Sequence, residues 1–263
     1  MEVYEQPEDK EAEKQAEEKP EVKEETFLFD KSYECPVCYQ GFKAKTVRSG
    51  KLRSLGTDRD LRPLYDQMEP LKYDVVICPH CGYAALTRFF GGLTAGQIKA
   101  IKENISANFH PVEEEKETYT YEEALYRYKL CLANTIVKHG KVSEKAYICL
   151  KAGWLLRSMG ENLDPAVEDY NKKIQEIKEQ EKDFLKNALD GLINARQTES
   201  YPICGMDEVT LEYLIAVLAM EFEKYDISSR LIYNILNTPT VNNRIKDKAR
   251  EVKDELLQQM GKK

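Results

Sequence analysis

Apolar and polar positions change their rhythm near residue 94. Before it, Val75-Val76-Ile77 reads as a short strand. After it, apolar residues recur at helical spacing, as in Leu211, Leu214, Ile215, Leu218 and Phe222, which share one face. Thr94-x-x-Gln97 and Thr120-x-x-Glu123 are capping boxes that predict helices to about Asn108 and Lys138, with Gly140 as the stop of the second. A third helix is expected from Ser143 to Met159, ended by Gly160. Asp164-Pro165 predicts the start of a long fourth helix reaching Thr198. Asp207, Asp226 and Thr240 predict the caps of three more, so residues 94–263 read as seven helices without a strand.

Four cysteines give the front of the chain its chemistry. Cys35-Pro-Val-Cys38 and Cys78-Pro-His-Cys81 form a C-x₂-C, 39-residue gap, C-x₂-C arrangement. A two-residue gap lets both thiolates of one turn reach a single ion, and two such turns complete a tetrahedral sulfur cage. Proline after the first cysteine presets each turn, and Gly82 after the second pair lets backbone amides approach the sulfurs. The expected ion is structural Zn2+. Iron is the alternative, because Cys78-Pro-His-Cys81-Gly82-Tyr83 is also similar to a knuckle of rubredoxin, an electron-transfer protein. His80 is expected to be a knuckle residue rather than a ligand. Strand followed by knuckle is the pattern of a zinc ribbon, here carrying an insertion.

Charge separates a third region. Residues 1–25 hold 11 acidic and 4 lysine side chains, which equals the whole net charge of −7; the rest carries 35 of each sign. With almost no large apolar residues, this stretch is expected to be a disordered acidic tail. The expected division is a tail over 1–26, a zinc-ribbon-like domain over 27–93 and a helical repeat-like domain over 94–263. The fold class is α+β: a small ribbon-like β part with an insertion, then an all-α, tetratricopeptide-like array. That array is suggested by Tyr121-Glu122-Glu123-Ala124-Leu125-x₂-Tyr128, by Gly153 and Trp154 with Ala166-x₃-Tyr170, and by Leu218-Ala219-x₂-Phe222.

The remaining groups narrow the function. Cys131 and Cys149 fit small core positions, and Cys204 falls in a loop with no histidine placed to activate it. Seven cysteines and no secretory signal argue for a reducing, cytoplasmic setting without a disulfide framework. No run of 18 apolar residues occurs, so no membrane span is expected. Lys43, Lys45, Arg48, Lys51 and Arg53 form a basic stretch without an acid, the one feature that supports nucleic-acid contact. Asp58 to Arg62 mixes signs and is expected to pin the insertion by ion pairs. No Gly-rich phosphate loop, H-E-x-x-H or serine elbow is present, so an enzyme is not expected. A protein partner held by the helical surface is the favoured reading; a nucleic-acid-associated zinc-ribbon factor using residues 43–53 is the alternative, as is a rubredoxin-like iron head.

Taken together, Cys35-Pro-x-Cys38, the stretch from Arg48 to Arg62, Tyr73-x₄-Cys78-Pro-x-Cys81-Gly82-Tyr83-Ala84 and Ala152-Gly153-Trp154-Leu155-x-Arg157 resemble a family of uncharacterised bacterial proteins, mostly from Gram-positive lineages, known as a domain of unknown function. The resemblance implies a zinc-ribbon-like front and a repeat-like helical back. It implies no activity, substrate or catalytic residue.

Overall fold

Each cysteine pair sits in the turn of its own β-hairpin. In the computed structural model, which describes residues 23–111 and 116–261, β1 (Leu28–Glu34) and β2 (Gly41–Val47) pair antiparallel from Leu28↔Val47 to Glu34↔Gly41. The first pair lies in the turn between them. A second hairpin, β3 (Ser54–Thr57) and β4 (Pro63–Tyr65), fills the insertion. The third, β5 (Val75–Ile77) and β6 (Ala84–Leu86), encloses Cys78 and Cys81. The described β part is thus three separate two-stranded sheets. The acidic tail expected over 1–26 lies largely outside the described residues; Glu24–Phe27 forms one 3-10 turn, with Glu24 held by Lys72 and by the Tyr73 hydroxyl at 2.8 Å.

Among the described residues seven α-helices follow: α1 (Ala95–Asn104), α2 (Tyr121–Val137), α3 (Val142–Glu161), α4 (Tyr170–Thr198), α5 (Glu208–Glu221), α6 (Tyr225–Asn237) and α7 (Asn243–Met260). Together with the strand pairs they make the α+β class. Both capping boxes form, with Gln97 and Glu123 amides donating to Thr94 and Thr120 at 3.3 and 3.2 Å. Asp207 caps α5 through the Thr210 amide at 2.8 Å.

Several expected helix ends move. Asp164 does not open α4; its carboxylate accepts from the Ala166 amide at 2.8 Å and closes a turn that holds Ala166 outside the helix. The helix starts at Tyr170, after Asp169 takes a left-handed conformation with φ 58°. Gly160 does not end α3, which continues to Glu161. At the end of α2 the left-handed residue is His139, and the Gly140 amide bonds to Thr135 O at 2.9 Å. Asp226 lies inside the first turn of α6, behind an N-cap at Lys224. Asn242, not Thr240, caps α7, accepting from the Ile245 amide at 3.0 Å.

The core runs across the change of rhythm at residue 94. Leu71, Val75, Ala84 and Leu86 from the β part belong to one buried cluster with Tyr128, Leu155, Leu189 and Leu214 from the helices. Hydrogen bonds cross the same seam, from the Tyr128 hydroxyl to Leu71 O at 3.0 Å and from Asn134 Nδ2 to Gly82 O at 3.1 Å.

The insertion is anchored on the helices by charge. Asp60 and Arg62, both 3% exposed, are buried against α3. Asp60 accepts from Trp154 Nε1 and Arg157 Nη1, each at 2.9 Å. Arg62 donates to Ser158 Oγ at 3.0 Å and to both carboxylate oxygens of Glu161 at 2.8 and 2.9 Å, while its Nε meets Asp58. Burial alone would lower both guanidinium pKa values. Glu161 and Asp58 around Arg62, and Asp60 and Glu181 around Arg157, override it and raise them. The ion pairs expected of this stretch therefore reach beyond it, to Arg157 and Glu161 of α3. Lys248 and Glu255 of α7 hold Thr57 and Arg59 at the far side.

Candidate metal centre

The two cysteine turns are built alike. In the first, Cys35 N donates to Gln40 O at 3.0 Å and Tyr39 N to Cys35 O at 2.9 Å. In the second, Cys78 N donates to Tyr83 O at 2.8 Å and Gly82 N to Cys78 O at 3.0 Å. Tyr39 and Gly82, each following a second cysteine, are both left-handed, with φ 62° and 72°. The turn needs that conformation at both places. Tyr39 meets it with its ring directed outward, 65% exposed and 5.9 Å from the Lys102 ammonium. Gly82 has no such latitude, because a Cβ there would lie 2.4 Å from the ring of Phe109.

Facing each other, the hairpins bring all four sulfurs within 4.8 Å of one another. Cys35 and Cys81 are 3.6 Å apart, as are Cys38 and Cys78. A tetrahedral ion with metal–sulfur bonds of about 2.3 Å sets its sulfurs about 3.8 Å apart. The sulfurs of Cys35, Cys38, Cys78 and Cys81 therefore fit one ion, which all four could hold. An ion held by all four sulfurs would have its tetrahedral coordination complete.

The thiols act strongly on one another. Hydrogen bonds from Cys78 and Cys81 hold the Cys35 thiol far below its ordinary value, while the same contacts push Cys78 and Cys81 up. Four adjacent thiolates cannot share this volume without a positive charge among them. A metal ion bound there would supply that charge and displace the protons. Backbone amides add to it: Val37 N lies 3.4 Å from Cys35 Sγ, and the amides of His80 and Tyr83 bond to Cys78 and Cys81.

Cys35, Cys78 and Cys81 are buried and Cys38 is half-buried. Val37, Tyr83, Ala85 and Ile101 are buried with them, flanked by Phe42, Phe90, Ile98 and Ile105. Phe90 meets Tyr33, Phe42 and Tyr83 at ring-centroid distances of 5.3, 5.9 and 5.1 Å. Sequence reasoning missed this cover. The spacing of Ile98, Ile101 and Ile105 announces an apolar helix face, but nothing local says that the face closes on sulfur.

The other candidate residues disperse. His80 and His110 are exposed, whereas Cys131 and Cys149 are core thiols, as their helical positions suggest. Cys204 donates its thiol to Ser143 O at 3.3 Å, and burial pushes its pKa up to about 11, so it stays protonated at neutral pH. Lys45 pairs with Asp30 at 2.9 Å. Arg48 donates to Leu28 O at 3.0 Å and stacks on Phe29, and Lys51 reaches Thr26 O at 3.3 Å. Trp154 and Tyr128 are core, and no described helix is long and apolar enough to cross a membrane.

Residues 28–256 match the model of a family described as an uncharacterized protein conserved in bacteria, DUF2225. No curated protein and no solved structure matches the chain.

Proposed function

The chain belongs to the DUF2225 family of proteins conserved in bacteria, and from that membership and the sulfur site we propose a zinc-stabilised, cytoplasmic protein-interaction scaffold. The ion is structural and the helical body is the working surface. The observation that carries this reading is the closed set of four cysteine sulfurs under apolar cover, which gives the ion no place for water or substrate. Zinc is favoured over iron as the common occupant of such closed structural sites. The reading is that of a binding protein rather than an enzyme.

The body supports a binding role in the tetratricopeptide-like manner. Consecutive helices pack as pairs, α2 with α3, α3 with α4, α5 with α6 and α6 with α7. Stacked pairs present extended surfaces for a protein segment. Ile136, Tyr233, Leu257 and Met260 stand exposed on α2, α6 and α7, large apolar groups that a partner would cover. The nucleic-acid alternative has less support, because Lys45, Arg48 and Lys51 are engaged within the protein, leaving Lys43 and Arg53 of the basic stretch to meet phosphates.

The test is capture by the full-length chain from extracts of its native host, at low and high salt. Retention of a protein at high salt, with loss on Tyr233→Ala and Leu257→Ala, supports the scaffold. Recovery of nucleic acid that is lost steeply with salt and on reversing Lys43 and Arg53 would replace it.

A further inference from the structure

In the two-stranded sheet of β1 and β2, the outer edge of β2 is open along Gly41 to Lys43. Hydrogen bonds at its two ends, Cys35 N to Gln40 O at 3.0 Å and Arg48 N to Phe27 O at 2.7 Å, fix the parity of the ladder. In an antiparallel pair, residues that exchange hydrogen bonds alternate with residues that do not. Phe42, Ala44 and Thr46 therefore bond to β1, and the N–H and C=O groups of Gly41 and Lys43 point away from it. No described residue bonds to those groups.

Opposite that edge stands the first half of α2, and between them lies a cleft of about 670 Å³. The five consecutive residues from Gly41 to Lys45 border it. Successive side chains of a strand point to opposite faces, so five in a row, with Asp30 of β1 beside them, present the edge together with part of one face. Phe109, Tyr119 and Tyr126 supply apolar walls. Arg127 completes the helix side, its guanidinium 3.7 Å from the centroid of the Tyr119 ring. It makes no hydrogen bond or salt bridge with a described residue; burial lowers its pKa, against the through-space pull of Tyr119 and of Glu123, whose carboxylate is itself paired with Lys116. A guanidinium drawn from water keeps its charge and five donors, and a carboxylate matches its fork.

We propose that this cleft receives an extended segment of a partner protein, which adds to β2 as a third strand and sets an acidic side chain on Arg127. The edge from Gly41 to Lys45 is about 13 Å long at the rise of a strand, room for about four or five residues. Main-chain bonds to Gly41 and Lys43 hold the segment, and the aromatic walls and Arg127 select alternating apolar and acidic side chains. The surface is separate from the exposed helical groups above and does not depend on their binding anything.

The test is selection of short peptides from a random displayed library on the full-length chain. Selected peptides share one acidic residue with apolar residues at alternate positions, and bound peptide slows amide exchange at Gly41 and Lys43. Arg127→Gln weakens them by about 10- to 100-fold. Lys43→Pro removes an N–H that faces the cleft, spares the β1 ladder and also weakens binding; far-UV circular dichroism verifies that both variants fold. Three results overturn the proposal: no acidic consensus, equal binding to Arg127→Gln, or protection of helices in place of β2. Tighter peptide binding after deletion of residues 1–22 overturns the partner occupant and assigns the cleft to the chain's own acidic segment.

Discussion

The indole N–H of Trp154 donates to Oδ2 of Asp60 at 2.9 Å, joining two residues 94 positions apart. The same carboxylate oxygen accepts from Arg157, so Oδ2 of a buried aspartate on the insertion is satisfied by α3, while its Oδ1 accepts from the Arg62 amide at 3.4 Å. Asp60→Ala leaves the indole and the guanidinium short of a partner in a dry place. Removing one member of such a pair costs about 3–5 kcal/mol. Urea unfolding should show that loss. Asp60→Asn, which keeps an acceptor for Trp154, should lose less.

The two cysteine turns predict opposite responses to glycine exchange. Gly82→Ala places a Cβ at φ 72° and against Phe109. The backbone alone costs about 1–2 kcal/mol, and the collision adds to it. Phe109→Ala in the same chain should recover part of the second component. Tyr39→Gly, at φ 62° with an outward ring, should cost nothing in thermal denaturation.

Glu69 gives a pH dependence of known sign. Burial raises its pKa, against hydrogen bonds from Ser158 and from the Leu71 amide at 3.1 Å. The folded chain therefore holds this proton more tightly than the unfolded chain. Its contribution is most favourable in acid and is lost as pH rises through the ordinary value of 4.5 to the higher folded one. The stability of wild type relative to Glu69→Gln should therefore increase as pH falls from neutrality through that window, in paired melting curves. A difference that decreases would contradict the sign.

Elemental analysis of the purified chain should find one zinc ion per chain and no red colour. Because Val75, Ala84 and Leu86 of the third hairpin share a core with α2 to α5, chelation or Cys81→Ser should lower the midpoint of a single unfolding transition. Two resolved transitions would mean that the hairpins and helices fold separately.

What could be read from the sequence was local. The cysteine pairs, the strand Val75–Ile77 and both threonine capping boxes each need only a few adjacent residues, and the structure has them. What escaped depends on distant partners or on competing local bonds. Asp164 followed by proline suits a helix start equally well as a closed turn, and the Ala166 amide takes the carboxylate for the turn. Asp58 to Arg62 announces ion pairs, but nothing in that stretch names Trp154, Arg157 and Glu161 as partners. The apolar stripe of α1 is visible, and its destination over the sulfurs is not.

An ion held by both cysteine turns would tie Cys38 to Cys78 and so close a ring of chain from Tyr39 to Ile77. Closing a ring of this size removes about 4 kcal/mol of chain entropy from the unfolded state. Asp60 and Arg62, the residues that grip α3, ride on that ring. Stripping the ion lengthens the search that brings them to the helices, even though no helix touches the metal through a ligand. The sulfur site thus acts on the helical body as a tether whose slack is set by the insertion.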